Sequence, residues 1–260
     1  MTVHPLTGRK AIITGAGKGI GRAMAHHFAK AGAELVLVAR SAGDLEKVAA
    51  EISAAGGKAH YIPADMGSVD QIAAMVEQAA GAMGGIDIVV SNAAAYGDGP
   101  IAELSLEQWN EAQRVNVVGT LALLQAAYPH LSANPASNVL IISSIRGLSG
   151  TPGTGAYGAS KAALNHLTRT LAVEWGPAGV RVNALLPGPV LTPQMEIAVQ
   201  NPKIGEKYRH CAPLADWTHP DDIAEPALFL VSGAARRITG QLLVVDGGLV
   251  AINQDCLVLA

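Results

Sequence analysis

The sequence has little of what marks several specialised classes of protein. Of its 260 residues two are cysteine, 15% are charged and 4% are aromatic. Two cysteines do not make a disulfide framework, and no Cys/His cluster has zinc-ligand spacing, so no metal is predicted. A net charge of −3 without runs of Lys or Arg argues against a strongly basic nucleic-acid binder.

Long hydrophobic runs are also missing. The longest, such as residues 35–39 and 138–142, stop far short of the roughly 20 residues that a membrane span requires. The first ten residues, MTVHPLTGRK, lack the apolar core of a signal peptide. The sequence therefore predicts a soluble cytoplasmic protein that binds neither a membrane nor nucleic acid.

What the sequence does have is length and apolar content. Hydrophobic residues make up 50% of the chain, which is enough for a large core. Short apolar runs alternate with helical patterns, as is typical of βαβ units. No internal repeat or second domain boundary is visible, so we predict a single α/β domain over residues 1–260.

A glycine-rich loop, GAGKGIG at residues 15–21, lies between the first predicted strand and a helix over residues 22–30. Such a loop lets backbone N–H groups approach a pyrophosphate at the helix N-terminus. The alternative is a glycine-rich turn without a ligand. Two further apolar strands at regular intervals favour the nucleotide-binding interpretation.

The end of the second predicted strand, residues 34–39, bears on cofactor preference. An acidic residue there would bind a ribose 2′-hydroxyl, but the sequence continues with Arg40-Ser41. Arg40 is suited to clamp a 2′-phosphate by charge-assisted hydrogen bonds, and Lys18 adds a second cation. We therefore predict NADP(H) in preference to NAD(H). The alternative is a solvated Arg40, with Ser41 capping the next helix.

A candidate catalytic group lies between residues 141 and 164. An apolar strand ends at Ser144, a loop rich in Gly and Pro follows, and a helix then carries Tyr157 and Lys161 on one face. A phenol has an unperturbed pKa of roughly 10, and an adjacent ammonium lowers that pKa. The pair is therefore predicted to exchange a proton with a substrate carbonyl near neutral pH, with Ser144 hydrogen-bonded to the same oxygen.

Three further residues stand out. Asn116, flanked by valines, is either a satisfied buried amide or a residue that ties a water into a proton path. Asp65 either hydrogen-bonds an adenine amino group or caps the helix that starts after Ser68. Trp109, within a long helical stretch over residues 106–131, is predicted to lie in the core.

Residues 189–219 are the least regular part of the sequence, and they are predicted to form a mobile flap over a pocket. Substrate specificity is assigned to this flap, to residues 93–100 with Tyr96, and to the loop at 146–154. In that loop Arg146 either meets a substrate carboxylate or hydroxyl, or forms a structural ion pair.

Together these motifs resemble the short-chain dehydrogenase/reductase family in its single-domain form. The resemblance spans residues 14–248, and it rests on TGAGKGIG (14–21), Asp65, SNAA (91–94), NVVG (116–119), Ser144, YGASK (157–161) and PGPVLT (187–192). It implies a Rossmann-type, doubly wound sheet of seven parallel strands with helices on both faces. It also implies a homotetramer, or else a homodimer, with the helices near 106–131 and 156–176 packed between subunits. The apolar tail at 249–260 indicates burial against such a partner.

The resemblance also implies roles for individual residues. Tyr157 is the general acid/base, Ser144 holds the substrate oxygen, and Lys161 replenishes the proton together with a water held by Asn116. These four residues, Asn116, Ser144, Tyr157 and Lys161, form the implied catalytic set. The predicted cofactor contacts are Gly15, Lys18, Gly19, Ile20, Gly21, Arg40, Ser41, Asp65, Met66, Asn92, Ala93, Tyr157, Lys161, Pro187, Gly188, Val190 and Thr192.

The implied activity is that of an NADP(H)-dependent carbonyl reductase acting on small-molecule ketones or secondary alcohols. A 3-oxoacyl-[acyl carrier protein] reductase ranks lower, because residues 126–138 and 176–179 carry no Lys or Arg for an acidic carrier. Related epimerases and enoyl reductases fit less well, since their glycine spacing or Tyr–Lys spacing differs. A non-catalytic NADP(H)-binding regulator is the remaining alternative, and it predicts a damaged catalytic set, whereas all four positions are intact.

Overall fold

The computed structural model describes residues 4–252 of the chain. Seven parallel strands form one sheet in the order β3-β2-β1-β4-β5-β6-β7. The strands are β1 (Lys10–Thr14), β2 (Glu34–Ala39), β3 (Lys58–Pro63), β4 (Ile88–Ser91), β5 (Asn138–Ile142), β6 (Arg181–Pro187) and β7 (Leu242–Val245). The predicted Rossmann-type sheet of seven parallel strands is confirmed.

Helices cover both faces of this sheet. They are α1 (Gly19–Lys30), α2 (Ala42–Ala54), α3 (Val69–Met83), α4 (Leu106–Gln113), α5 (Gly119–Ser132), α6 (Gly155–Trp175), α7 (Pro193–Ala198), α8 (Pro202–Arg209) and α9 (Pro220–Val231). Successive strand residues alternate between two apolar clusters, so Ile12 packs with α3, α5 and α6, whereas Ile13 packs with α1, α2 and α9. Burial on both faces explains why the inner strands are continuous apolar runs in the sequence.

The strand order opens a crevice at the carboxyl edge of the sheet, between β1 and β4. β1 pairs with β2 on one side and with β4 on the other, so the chain winds in opposite directions from this point. Ligands of open α/β sheets bind at such a switch point, outside the carboxyl ends of the strands. The glycine loop follows β1 and the SNAA motif follows β4, so both lie at the crevice.

The helical stretch predicted over residues 106–131 is present, with an interruption that the sequence did not reveal. α4 begins with a capping box formed by Ser105 and Gln108, and a five-residue π-helical segment, Arg114–Val118, joins it to α5. The prediction that Trp109 lies in the core is wrong. Its side chain is half-buried on α4, because only the stripe of this helix at Ala112 faces the interior.

The segment at 189–219 is more regular than predicted. It contains α7 and α8, and each begins at a capping residue followed by proline, namely Thr192-Pro193 and Asn201-Pro202. The side chains of Thr192 and Asn201 accept hydrogen bonds from backbone N–H groups of the first turn. This combination is a signal for a helix start, so both helices were predictable from the sequence.

Most of the apolar tail, residues 253–260, lies outside the described residues, so its burial against a partner stays a prediction. Within residues 4–252 no helix has the length and apolar content needed to cross a bilayer.

Candidate active site

Ser144, Tyr157 and Lys161 meet at a cavity of about 420 Å³ at the carboxyl edge of the sheet. Ser144 follows β5, whereas Tyr157 and Lys161 lie one turn apart on α6. The end of β6 and the start of α7 close the cavity on another side. The structure thus brings together three of the four residues predicted to form the catalytic set.

Close packing of α6 against the end of β5 fixes this geometry. The Nζ atom of Lys161 donates a hydrogen bond to the carbonyl oxygen of Ile142 at 2.8 Å, and it lies 5.3 Å from the ring centroid of Tyr157. The approach needs a glycine at position 158, because a Cβ atom there would lie 2.9 Å from the carbonyl oxygen of Arg146.

Burial dominates the electrostatics of this pair. Removal from water lowers the pKa of Lys161 to about 8, because the interior disfavours the charged amine. Burial, followed by the phenol of Tyr96, raises the pKa of Tyr157 above its ordinary value, while Ser144 and Arg146 act in the opposite direction. The lowered pKa that the sequence predicted for Tyr157 is therefore wrong for this structure, because the cost of burying a phenolate outweighs neighbouring positive charge.

The two serines at the end of β5 have different surroundings. The Ser143 hydroxyl donates to the Oδ1 atom of Asn165 at 2.6 Å and lies 3.2 Å from the carbonyl oxygen of Lys161. It therefore ties the strand to α6. The Ser144 hydroxyl accepts a hydrogen bond from the backbone N–H of Arg146 at 3.2 Å, which leaves its proton available to a ligand in the cavity. The sequence-based choice of Ser144 agrees with this arrangement.

Asn116 does not line the cavity. Its side chain is fully buried in the π-helical segment and donates to the carbonyl oxygen of Ala95 and to the Ser160 hydroxyl, both at 2.9 Å. Its Oδ1 atom accepts from the N–H of Ala95 at 2.7 Å. Of the two interpretations that the sequence left open, the structure supports the satisfied buried amide.

Two residues beside Tyr157 were assigned no definite role from the sequence. The Tyr96 ring stacks on the Tyr157 ring, with centroids 4.7 Å apart and an interplanar angle of 14°. The guanidinium carbon of Arg146 lies 6.0 Å from the same ring centroid. Spacing in the sequence gave no signal for the stack, because Tyr96 lies in the loop after β4 whereas Tyr157 lies on α6.

The glycine loop has the compactness that a bound diphosphate requires. Gly15 and Gly19 have positive φ angles of 66° and 53°, and a Cβ atom on Gly21 would overlap the carbonyl oxygen of Gly15. The Asn92 side chain donates to the carbonyl oxygens of Thr14 and Gly15 at 2.9 and 3.3 Å. Backbone can thus approach a ligand closely, so these residues fit a nicotinamide dinucleotide.

The other predicted cofactor contacts differ in where they lie along this edge of the sheet. Six of them line the cavity beside Tyr157 and Lys161, and these are Ile20, Asn92, Pro187, Gly188, Val190 and Thr192. Ala93 is half-buried directly after Asn92, where its N–H donates to the Thr14 hydroxyl at 3.1 Å. Arg40, Ser41, Asp65 and Met66 follow β2 and β3 further along the same edge, outside this cavity.

Three polar residues on this outer part of the edge have protein partners. Lys18 forms an ion pair with Asp44 of α2 at 3.0 Å. The Ser41 hydroxyl caps α2 by accepting from the N–H of Asp44 at 3.4 Å. The Asp65 carboxylate accepts from the N–H of Gly67 at 3.0 Å. The capping alternative for Asp65 is wrong, because Ser68 caps α3.

The part of the chain that the structure describes shows no candidate metal-binding site. Among residues 4–252, no three His, Cys, Asp or Glu side chains lie together as a metal-binding group.

Comparison with known proteins links this geometry to a family. A family model described as enoyl-(acyl carrier protein) reductase matches residues 15–250. The chain is 36% identical to a 7α-hydroxysteroid dehydrogenase of Escherichia coli (strain K12) over 243 residues, which cover 94% of each chain. It is 33% identical to a 3-oxoacyl-[acyl-carrier-protein] reductase of Thermotoga maritima over 249 residues, or 94% of this chain and 99% of the relative.

Solved structures agree with the sequence comparison. A structure of a putative NAD(P)-dependent gluconate 5-dehydrogenase from Beutenbergia cavernae, with bound NADP at low occupancy, superposes with a TM-score of 0.91. It is 36% identical, and the match covers 96% of this chain and 100% of the other.

Proposed function

The chain belongs to the short-chain dehydrogenase/reductase family, and on that premise we propose that it interconverts a small-molecule ketone and a secondary alcohol with NADP(H). One observation carries the proposal. Ser144, Tyr157 and Lys161 line a single cavity, and this cavity adjoins the part of the crevice that the glycine loop forms. A proton donor, a hydrogen-bond donor and a basic amine thus meet where a nicotinamide ring would lie.

Each of the three side chains has a distinct task in this proposal. Ser144 and Tyr157 donate hydrogen bonds to the substrate oxygen, and this stabilises the negative charge that develops there. Tyr157 transfers its proton to that oxygen, and the raised pKa of Tyr157 keeps the phenol protonated until then. Lys161 holds the ribose hydroxyls and takes part in restoring the proton.

A bound nicotinamide nucleotide would supply the hydride. Gly15, Gly19 and Gly21 would hold its diphosphate, and Asn92 would lie beside the adjoining ribose. Arg40 supports the choice of NADP(H), since it is exposed at the end of β2 and forms no ion pair with a described carboxylate within 4.0 Å. Lys18 supports it less than the sequence implied, because Asp44 already engages its amine.

Asn116 acts as a positioning residue in this scheme. Its bonds to Ala95 and Ser160 hold the loop after β4 against α6, so it supports the cavity wall without touching the substrate.

A 3-oxoacyl-[acyl carrier protein] reductase remains the second candidate, and the Thermotoga maritima relative supports it. A carrier-dependent enzyme needs a basic surface for its acidic partner. Residues 126–138 and 176–179 carry His130 and no Lys or Arg. Arg9, Arg181, Arg236 and Arg237 line a pocket beside Ala136 and Gly179, but that pocket lies where β1 and β6 begin, at the edge of the sheet opposite the cavity. We therefore rank this candidate below a small-molecule enzyme.

Purified protein would be tested by following nicotinamide absorbance with NADPH and NADH, against ketones, diketones, sterol ketones and an acyl-thioester mimic. We expect NADPH-dependent turnover that falls by about 10²-fold or more in Tyr157→Phe, because the general acid is lost. Tyr61→Phe, on the exposed edge strand β3, is the matched control. Wild-type turnover in Tyr157→Phe would contradict the assignment, and NADPH binding without turnover of any substrate would favour the regulator.

A further inference from the structure

Arg146 brings a positive charge into the cavity. Three charged side chains line this space, Asp98, Arg146 and Lys161. The amine of Lys161 donates to the carbonyl oxygen of Ile142 and is assigned to the cofactor ribose in the proposed function, and Asp98 is exposed. Arg146 is half-buried, with its guanidinium carbon 6.0 Å from the ring centroid of Tyr157. Its charge therefore lies next to the atoms that would react.

The guanidinium has no hydrogen-bonding or ionic partner within the described part of the chain. Arg22, Arg114 and Arg209 each pair with a carboxylate, whereas no carboxylate among residues 4–252 lies within 4.0 Å of Arg146. The side chain of Arg146 also donates no hydrogen bond to a described protein acceptor, since only its backbone N–H does so. The structural ion pair that the sequence left open is therefore not formed. A guanidinium has five N–H donors, and a carboxylate in the cavity would accept from two of them.

The backbone holds Arg146 in this place. It lies in a 3₁₀ turn, Ile145–Gly147, whose Gly147 carbonyl oxygen accepts from the Asn165 side chain at 3.2 Å. The N–H of Arg146 donates to the Ser144 hydroxyl, and its carbonyl oxygen rests against α6 at Gly158. The backbone from which the guanidinium projects is thus tied to Ser144 and to α6.

We propose that Arg146 binds a carboxylate of the substrate, so that the protein acts on keto acids and the corresponding hydroxy acids. Carboxylates match the planar fork of a guanidinium with two parallel hydrogen bonds. Ser144 and Tyr157 would bind the carbonyl oxygen of the same molecule. Apolar lining residues, among them Ile145, Met195 and Leu249, leave room for a carbon chain. This inference rests on the proposed function, whose substrate class it narrows.

The reaction balances without a further reactant. The carbonyl carbon of the keto acid gains a hydride, with its two electrons, from the reduced nicotinamide nucleotide of the proposed function. The C=O π bond opens, and the oxygen gains the proton of Tyr157. The products are a hydroxy acid and the oxidised nucleotide, and the carboxylate on Arg146 is unchanged.

The first test compares matched substrates on the wild-type protein. Keto acids of increasing chain length would be assayed beside their carboxamides, which keep the shape and lose the charge. We expect kcat/KM to favour the acid by about tenfold or more, as a charge-assisted hydrogen bond allows. Equal kcat/KM values for acid and carboxamide would overturn the inference and leave the proposed function standing.

Variants then assign the preference to one side chain. In Arg146→Gln we expect the ratio of kcat/KM for the acid to kcat/KM for the carboxamide to fall towards one. In Arg146→Lys we expect a ratio between those of the wild type and Arg146→Gln, because lysine keeps the charge but lacks the planar pair of N–H donors. Arg169→Gln is the matched control, since Arg169 is exposed on α6 and lies outside the cavity. A ratio that Arg146→Gln leaves intact would place the carboxylate elsewhere and overturn the assignment.

A binding measurement separates failure of the inference from failure of the proposed function. Calorimetric titration of the NADP⁺-loaded protein with a short alkanoate and with its carboxamide needs no turnover. Tighter binding of the alkanoate that Arg146→Gln abolishes would support the inference even if no tested ketone were reduced. Equal affinity for both compounds would overturn it even if ketones were reduced.

Discussion

At the scale of single residues, the buried amine of Lys161 couples folding to pH. Its pKa is lowered by burial from 10.5 to about 8. Between these two values the unfolded chain holds the proton and the folded chain does not. Because the unfolded state then binds more protons, the free energy of unfolding rises with pH in this window. Below about pH 8 both states are protonated, and the folded state bears the cost of a buried charge.

We therefore predict that the stability difference between the wild type and Lys161→Met changes by about 2 kcal/mol from about pH 8 to pH 10, in favour of the wild type. Urea unfolding without nucleotide across this range measures it. The raised pKa values of Tyr157 and Cys211 affect both proteins and largely cancel in the difference. The control is Lys203→Met on the exposed surface of α8, for which a parallel pH dependence is expected. A constant difference for Lys161→Met would show that the folded amine keeps its proton across this range, as the unfolded one does.

The ion pair between Lys18 and Asp44 bears on cofactor choice. Asp44 engages the Lys18 amine at 3.0 Å, and the hydrogen bond from Lys18 is the main reason that the pKa of Asp44 is lowered. The Asp44 carboxylate both pairs with the Lys18 amine and repels a 2′-phosphate. Loss of the carboxylate should therefore favour NADPH over NADH.

In Asp44→Asn we predict that the ratio of kcat/KM values for NADPH and NADH rises by about two- to fivefold, the range expected for one exposed ion pair. Steady-state kinetics with both nucleotides measure this ratio. Glu46→Gln, an exposed neighbour on α2, is the control for a general change of charge. A ratio that falls in Asp44→Asn would mean that the ion pair holds Lys18 in place for the phosphate.

The sequence predicted which side chains lie together only where the two residues are close in the chain. Tyr157 and Lys161 share a helix face, so their proximity follows from the sequence. The partner of Lys18 lies 26 positions away on another helix, and the ring beside Tyr157 belongs to a loop after another strand. Such contacts depend on how elements pack, which the sequence pattern does not specify.

At the scale of elements, the π-helical segment between α4 and α5 places Asn116. Its side chain satisfies both the N–H and the carbonyl oxygen of Ala95, and neither group has another hydrogen-bond partner among the described residues. A buried unsatisfied polar group costs about 1–3 kcal/mol. The segment therefore fastens the loop after β4 to the helix layer.

For Asn116→Ala we predict a loss of about 3 kcal/mol in the free energy of unfolding, since two backbone groups lose their partner. Chemical denaturation monitored by circular dichroism measures it. The control, Asn110→Ala at an exposed position of α4, should stay within about 0.5 kcal/mol of the wild type. A loss for Asn116→Ala as small as that of the control would mean that water replaces the amide.

Elements were predictable to different degrees for physical reasons. Inner strands are buried on both faces, so β1, β2 and β5 appear as apolar runs. The π-helical segment adds one residue to the helical turn without requiring particular residue types, so the NVVG motif gives no sign of it. α7 and α8 were missed because they are short, with six and eight residues, and α8 buries none of its side chains, although Thr-Pro and Asn-Pro mark where they begin.

At the scale of the whole molecule, two apolar surfaces lack a covering element among the described residues. One lies on the helix layer, where Leu106, Val118, Leu121 and Val173 are exposed by 79%, 47%, 37% and 77%. The other follows the sheet edge at β7, where Leu243 is exposed. Apolar patches of this kind mark interfaces, and an open strand edge invites pairing. If each surface pairs with the same surface of another copy, the result is a tetramer with dihedral symmetry.

We therefore predict that the protein sediments as a tetramer of 26.6 kDa chains at micromolar concentration. The double variant Val118→Glu/Leu121→Glu is expected to sediment as a dimer, because two charges would be buried in the helix-layer interface while the β7 edge is untouched. Gln78→Glu, which adds a charge on the exposed surface of α3, should remain tetrameric. A monomeric wild type would refute both interfaces. A double variant that stays tetrameric would show that the helix-layer interface does not include α5. Only the interface at the β7 edge would then remain supported.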